Sequence, residues 1–492
     1  MLSSHRSFDP LTATAADLQE MLSKRMLTSV DFVERSFAQM DKYDVYLKAI
    51  ISRAPKAIKV AKKLDIERKH GHVRGPLHGI PILVKDNIVT DARWGMDTTA
   101  GSCALKGSRP PDSATLFTRC SQFNAFRGSD LPPGWSAAGG QTQSAYTCGN
   151  VERPTLVSGT AYNPGGSSTG SAVGVSAGYA ATAIGTDTTG SVNIPSTRAA
   201  LYGIRVTTGT SDMAGIIPFS ARFDTLGVMA KSPLDVANLL EVIVDNAFLP
   251  PGGHRNSLSG TWKGLRIGVL SPNKWFIPAS FSRPNPGARA QLDRETLAAY
   301  YKLHRLGANI QDVDLISWEQ LVPSDNYGLF DLFAADFRTD IQTYLANLTD
   351  SKVQTLADIV KFNEHHASLE LPPGYENQDL STVTLKNNMS ADTYRMLLAK
   401  MREVGRELGI DKTLHDNSID VIIGPADSAF SLLACAAGYP SATFPLSYLD
   451  FNGRPFGLFA LTSKRMEATL LQVMSAWEKD FPRHPPNLDV ER

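Results

Sequence analysis

The chain has 492 residues, 42% of them apolar and 20% charged, a globular composition with material for a large core. Its 49 basic side chains balance 49 acidic ones, which argues against a nucleic-acid partner or an anionic membrane and for a neutral small molecule. The sequence starts without an apolar leader-like run, no stretch approaches a membrane span, and Cys103, Cys120, Cys148 and Cys435 form neither a CxxC pair nor a zinc spacing. A cytoplasmic protein with reduced thiols, no metal and no cofactor is therefore expected.

Residues 14–70 read as helical. Thr14-Ala15-Ala16-Asp17 and Thr28-Ser29-Val30-Asp31 predict capping boxes, and the second helix continues through Phe32, Val33, Phe37 and Met40 at helical spacing. Turn chemistry follows from Gly75 to Pro81. Ile82-Leu83-Val84 then predicts a buried strand that ends in Lys85-Asp86-Asn87. The stretch 128–170 is rich in Gly, Ser, Thr and Pro and reads as loop. A small-residue helix is expected over 171–178, a strand over 181–185 and a helix over 192–201, since Pro195 is tolerated in a first turn.

Further strands are predicted at 265–270, 310–315, 421–424 and 456–461. A helix is expected over 288–306, closed by Gly307, and a last one within 462–481. Strands alternating with helices imply an α/β protein, a mixed central β-sheet covered by helices on both faces. One domain over 1–492 is expected, with a helical region 1–74 packing on the core.

Two segments carry chemistry. A lysine directly after four apolar residues at a strand end is partly desolvated, which moves Lys85 toward the pKa of a working base; the alternative is a lysine that reaches solvent. The second is Gly165-Gly166-Ser167-Ser168-Thr169-Gly170-Ser171, followed by Gly185-Thr186-Asp187-Thr188-Thr189-Gly190-Ser191. A strand, a glycine turn and a serine opening a helix aim several backbone N–H groups at one point, as an oxyanion requires. A phosphate cradle of the Walker type is excluded because no Gly-Lys-Ser/Thr follows.

Gly79-Ile80-Pro81, Val84-Lys85-Asp86, Gly165-Gly166-Ser167-Ser168 and Gly185-Thr186-Asp187-Thr188…Gly190-Ser191 resemble the catalytic blocks of the amidase-signature family. Ser167 precedes Ser191 by 24 residues, which is that family's spacing. The likeness extends through Asp224–Ser232, Ala436–Pro440 and Arg454–Gly457. The stretch FRGSDLPPGWSAAGGQTQSAY resembles the subgroup that includes peptide amidases.

The resemblance implies an amidase of linear amides, with Ser191 as nucleophile, Ser167 as a bridging serine in a cis peptide and Lys85 as base. It further implies an oxyanion hole from the backbone N–H groups of Thr188, Thr189, Gly190 and Ser191. The partner is a small-molecule amide, with at most a second copy of the chain as a homodimer. Transfer to another amine, as in a tRNA-dependent amidotransferase, uses the same acyl-enzyme and stays open. Thr189 stands where the family commonly has glycine, Asn193 where arginine is frequent, Arg205 where lysine is usual, and Val228 where proline is.

A rival reading makes Ser168 the nucleophile of a G-x-S-x-G elbow, but that motif needs a strand immediately before it, and Tyr162-Asn163-Pro164-Gly165 reads as a turn. His365-His366 beside Glu364 reads as ordinary helix rather than a metal site. One departure is larger. The family pattern makes 112–120 a helix and follows it with an apolar strand. Here Cys120 runs directly into Ser121-Gln122-Phe123. Against the family pattern about a dozen residues are absent; two helical turns take about seven residues and a strand about five, more than 112–126 easily holds with the turns, so a structural strand is expected to be missing. An impaired or non-catalytic member is the corresponding alternative.

Overall fold

A computed structural model describes residues 8–90, 94–109, 118–120, 127–128, 131–149, 163–276 and 285–489. Both predicted capping boxes form. Thr14 Oγ1 accepts the Asp17 N–H while Asp17 accepts the Thr14 N–H, and Thr28 and Asp31 repeat the exchange. These boxes satisfy donors that a helix start leaves without partners, and they open helices Ala15–Ser23 and Ser29–Leu47. A third helix spans Ala57–Lys69. The region is not wholly helical, because a short strand interrupts it.

In chain order the strands are β1 (Ile50–Ser52), β2 (Ile82–Lys85), β3 (Thr118–Cys120), β4 (Trp135–Ser136), β5 (Gly140–Gln141), β6 (Thr182–Asp187), β7 (Tyr202–Arg205), β8 (Thr225–Ala230), β9 (Arg266–Val269), β10 (Asn309–Asp312), β11 (Val421–Pro425), β12 (Ser441–Tyr448) and β13 (Pro455–Leu461). Among the described residues eleven of them make one sheet, in the order β1-β3-β2-β6-β8-β7-β12-β13-β11-β9-β10, and β4 with β5 makes a separate hairpin. The sheet is mixed: β3, β2 and β6 run parallel, β6 to β11 pair antiparallel through β8, β7, β12 and β13, and β11, β9 and β10 run parallel again.

Side chains alternate across this sheet with the period of two that a strand imposes. Leu83, Ala183 and Met229 pack with Ala172 and Val173 of helix Thr169–Ser176. Their neighbours Val84, Ile184 and Val228 turn to the other face and meet Leu240 of helix Pro233–Ile243 and Trp477 of helix Glu467–Asp480. The expected helical cover on both faces is thus present. Asp235 accepts the N–H groups of Ala15 and Ala16, which docks the first helix on this core.

Two expectations need correction. Thr118–Cys120 is strand, not the end of a helix: it pairs with β2 (Leu83↔Thr118, Lys85↔Cys120) and with β1 (Ile50↔Cys120). The place beside β2 is therefore occupied, as the backbone groups along that edge of β2 require. The rest of the segment that was expected to hold a helix, 112–117, lies outside the described residues, as does 121–126. The helix after Ser191 covers only Asn193–Thr197, since the chain must turn back at Ala200 (φ 51°) to enter β7. The helix predicted over 288–306 runs Pro286–Arg305, with Gly307 at φ 81° just beyond it. Cys103, Cys148 and Cys435 are free thiols. No helix among the described residues is long and apolar enough to cross a membrane.

Gly457 in β13 lies opposite Pro445 of β12. A Cβ there would overlap the Phe444 carbonyl oxygen and sit 2.7 Å from Thr197 Oγ1. Backbone cannot give way as a flexible side chain does, so Gly457→Ala is expected to destabilise by about 1–3 kcal/mol, read as a lower urea midpoint at unchanged m-value.

Candidate active site

The last residue of β2 carries the site's cation into the core. Lys85 has no exposed surface, because β3 and β6 flank its strand on either side. Its Nζ donates to Ser167 Oγ (2.8 Å), Thr186 Oγ1 (2.9 Å) and the Thr186 carbonyl (3.2 Å). Burial lowers its pKa from 10.5 to about 7, against the opposing pull of Asp187 and Asp224. The lysine expected to be partly desolvated is completely so.

Ser167 follows a cis Gly166–Ser167 peptide bond and lies just before helix Thr169–Ser176. Its neighbour Ser168 is fully buried, donating Oγ to the Thr186 carbonyl (3.2 Å) and its N–H to the Ser191 carbonyl (3.0 Å). The hydroxyl that the elbow reading needs is therefore engaged in the core. Ser168 N–H instead ties the block of Ser167 to that of Ser191. The Ser191 side chain is partly exposed, and its hydroxyl has no hydrogen-bond partner among the described residues. The Lys85–Ser167 contact is formed; a Ser167–Ser191 hydroxyl bond is not.

The loop from β6 to helix Asn193–Thr197 is held from beneath by buried charge. Asp187 accepts the N–H groups of Gly190 (2.8 Å) and Val192 (2.7 Å), one on each side of Ser191. Asp187 also faces Arg205 at 3.8 Å, both fully buried. Arg205 donates to the carbonyls of Thr188 (3.0 Å) and Phe223 (2.9 Å) and to Thr208 Oγ1 (3.0 Å). Asp224 accepts the Thr188 hydroxyl and the N–H groups of Phe219 and Ser220; burial raises its pKa to about 6 although these bonds pull the other way.

The four N–H groups expected to form the oxyanion hole accordingly divide. Those of Thr188, Thr189 and Ser191 have no acceptor among the described residues, whereas that of Gly190 is taken by Asp187. Thr189 Oγ1 is buried without a partner. Asn193 donates Nδ2 to Ser441 Oγ at 2.8 Å.

Sequence reasoning does not assign Thr186, Asp187 or Asp224. The first two lie inside the quoted block, where a buried acceptor at the end of a strand is a usable signal. Asp224 is 36 residues from Thr188 and only folding brings them together. His366 of the histidine pair stacks on Phe362 and bonds its carbonyl through Nδ1.

Comparison with known proteins points the same way. The family model described as Amidase matches residues 31–470. A probable amidase of Arabidopsis thaliana is 30% identical over 98% of this chain and 92% of its own length. A glutamyl-tRNA(Gln) amidotransferase polypeptide of Chloroflexus aurantiacus is 30% identical, over 95% of this chain and 96% of its own. The X-ray structure of native peptide amidase from Stenotrophomonas maltophilia matches with a TM-score of 0.83 at 30% identity, covering 97% of this chain and 99% of that one. The chain belongs to the amidase-signature family. It is an amidase-family hydrolase, a class that acts on carbon–nitrogen bonds.

Arg205 offers three acceptors a planar fork that a lysine ammonium cannot reproduce. Arg205→Lys is expected to lower kcat about tenfold, about 1.4 kcal/mol of barrier, with KM close to that of the parent enzyme in steady-state assays.

Proposed function

We propose that this chain hydrolyses a carboxylic amide through an acyl-enzyme on Ser191, with Ser167 and Lys85 as its proton relay. The observation that carries the reading is the Lys85 amine, buried, shifted to a pKa of about 7 and 2.8 Å from the Ser167 hydroxyl. An amine in that state is a base that can be neutral at physiological pH.

In the proposed cycle neutral Lys85 accepts the proton of Ser167 as Ser167 accepts that of Ser191. Ser191 Oγ bonds to the amide carbon, and the carbonyl π pair moves onto oxygen. The N–H groups of Thr188, Thr189 and Ser191 receive the oxyanion, while Gly190 supports them through its bond to Asp187. Collapse breaks the C–N bond, and its electron pair leaves on nitrogen. The proton held by Lys85 returns through Ser167 to that nitrogen, which a poor amine leaving group requires. Water then repeats the sequence on the acyl-enzyme and releases the acid.

The test is covalent. A fluorophosphonate is expected to label Ser191, with the site assigned by mass spectrometry, and Ser191→Ala is expected to lower kcat at least about 10⁴-fold. Labelling at Ser168 overturns the assignment.

The pH profile follows from the sign of the Lys85 shift. Below a pKa of about 7 the amine is an ammonium with no lone pair to accept a proton. Activity is therefore lost on the acid side, and kcat/KM is expected to rise through about pH 7 and then level off. A profile flat across that region contradicts lysine as the base.

The similarity to a glutamyl-tRNA(Gln) amidotransferase polypeptide supports a second reading, transfer of the amide nitrogen within a complex. Ammonia release from glutamine, together with co-purifying partner chains, distinguishes it from a free-standing hydrolase.

A further inference from the structure

The loop 216–224 joins the two halves of the site. It starts against the turn that follows Lys85. Ile217 donates its N–H to the Asn87 carbonyl (2.9 Å), and Asn87 returns Nδ2 to the Ile217 carbonyl (3.2 Å) and to Thr186 Oγ1 (3.1 Å). The loop ends at Asp224, just before β8. There one carboxylate closes the loop and reaches the nucleophile segment: Oδ2 accepts the N–H groups of Phe219 (2.7 Å) and Ser220 (3.0 Å), and Oδ1 accepts the Thr188 hydroxyl.

Thr188 is thereby held at two points. Its carbonyl accepts from Arg205 (3.0 Å) and its hydroxyl donates to Asp224, which leaves the N–H as its one polar group with no partner among the described residues. Asp224 is buried, and the Lys85 charge acts on it. The influence is mutual: the Asp224 charge opposes the burial that lowers the Lys85 pKa to about 7. The other charges around the loop are engaged elsewhere. Arg205 donates to the Phe223 carbonyl and Arg402 to the Arg222 carbonyl, while the Arg222 guanidinium lies over the Tyr394 ring. Asp340 accepts the Ala221 N–H, and Asp336 accepts the hydroxyls of Ser220 and Tyr394. Asp187, the other carboxylate that acts on Lys85, is turned to Gly190, Val192 and Arg205.

We propose that Asp224 is a positioning residue that couples the oxyanion donors to the base: it fixes Thr188 through the hydroxyl and, as a carboxylate, lets Lys85 hold the proton it receives. The inference rests on the acyl-enzyme reading above. In that cycle two charges develop together, a negative one on the carbonyl oxygen and a positive one on Lys85. The Asp224 carboxylate stabilises the ammonium, and its hold on Thr188 keeps an N–H donor in place for the oxyanion, so neither charge waits for the protein to rearrange.

The measurement is the pH dependence of kcat/KM on one amide, for the full chain and its variants. Removing a negative charge near Lys85 lowers the pKa of the amine further. Asp224→Asn, which keeps the side chain's shape, is therefore expected to move the acid limb about one unit to lower pH. Simple damage to the packing acts in the opposite sense, since water admitted to the amine moves the limb to higher pH. Asp340→Asn alters a carboxylate that holds the same loop from helix Leu329–Ala346, and is expected to leave the limb in place. Thr188→Val deletes one of the three hydrogen bonds that favour the Asp224 carboxylate. Its limb is expected to move to lower pH as well, with kcat reduced about tenfold at similar KM, and Thr188→Ser is expected to restore both. An Asp224→Asn limb that stays with the parent's or moves to higher pH overturns the proposal while leaving lysine as the base. If that variant does not fold, the same two results in Thr188→Val overturn it. A parent profile with no acid limb near pH 7 removes Lys85 as the base, and the coupling with it.

Discussion

An amine that has given up its water must be replaced on every side by protein, and Lys85 imposes that demand on the architecture around it. Two flanking strands close its backbone, and Thr186 and Ser167 supply three oxygen acceptors. Loss of hydration favours the neutral form, whereas the carboxylates of Asp187 and Asp224 oppose it. The result of the contest is a pKa of about 7, and either extreme would be useless to a base. With the carboxylates in contact the amine would remain an ammonium; with none nearby it could hardly hold the proton between the two halves of a turnover.

The same carboxylates shape the loop next to it. Asp187 accepts N–H groups from both sides of Ser191 and is itself faced by Arg205, which grips the Thr188 carbonyl. Turning the Thr188 carbonyl toward Arg205 directs the following peptide N–H the opposite way, since the two groups of a planar peptide are antiparallel. These N–H groups are thereby aimed from beneath the loop, an arrangement that would let the proposed oxyanion site avoid reorganising as charge develops. Asp224 makes the hydroxyl of Thr188 part of the same framework. Gly190 belongs to the support and not to the free donors, although its position in the motif does not distinguish the two.

Patterns are legible in the sequence where local physics decides them. The boxes at Thr14 and Thr28 depend on residues three positions apart, and Gly307 needs only its own φ. The blocks around Lys85, Ser167 and Ser191 stand out because glycine turns and small residues mark them. What escapes is set by distant partners. The strands β7, β8 and β12 have no alternation to expose them, being buried throughout much of their length. Asp224 and Arg205 acquire meaning only when β7 and β8 bring them under the loop.

The strand β3 fills the edge of β2 beside the buried amine. Without Thr118–Cys120 the N–H and C=O groups along that edge of β2 would be unpaired there. Unmet backbone groups at that place would admit water, restore hydration to Lys85 and return its pKa toward 10.5. Three residues suffice because β1 covers the other side of β3 through Ile50↔Cys120, while β3 itself meets Lys85 at Cys120. The strand next to the sheet's edge thus keeps water from the amine proposed as the base.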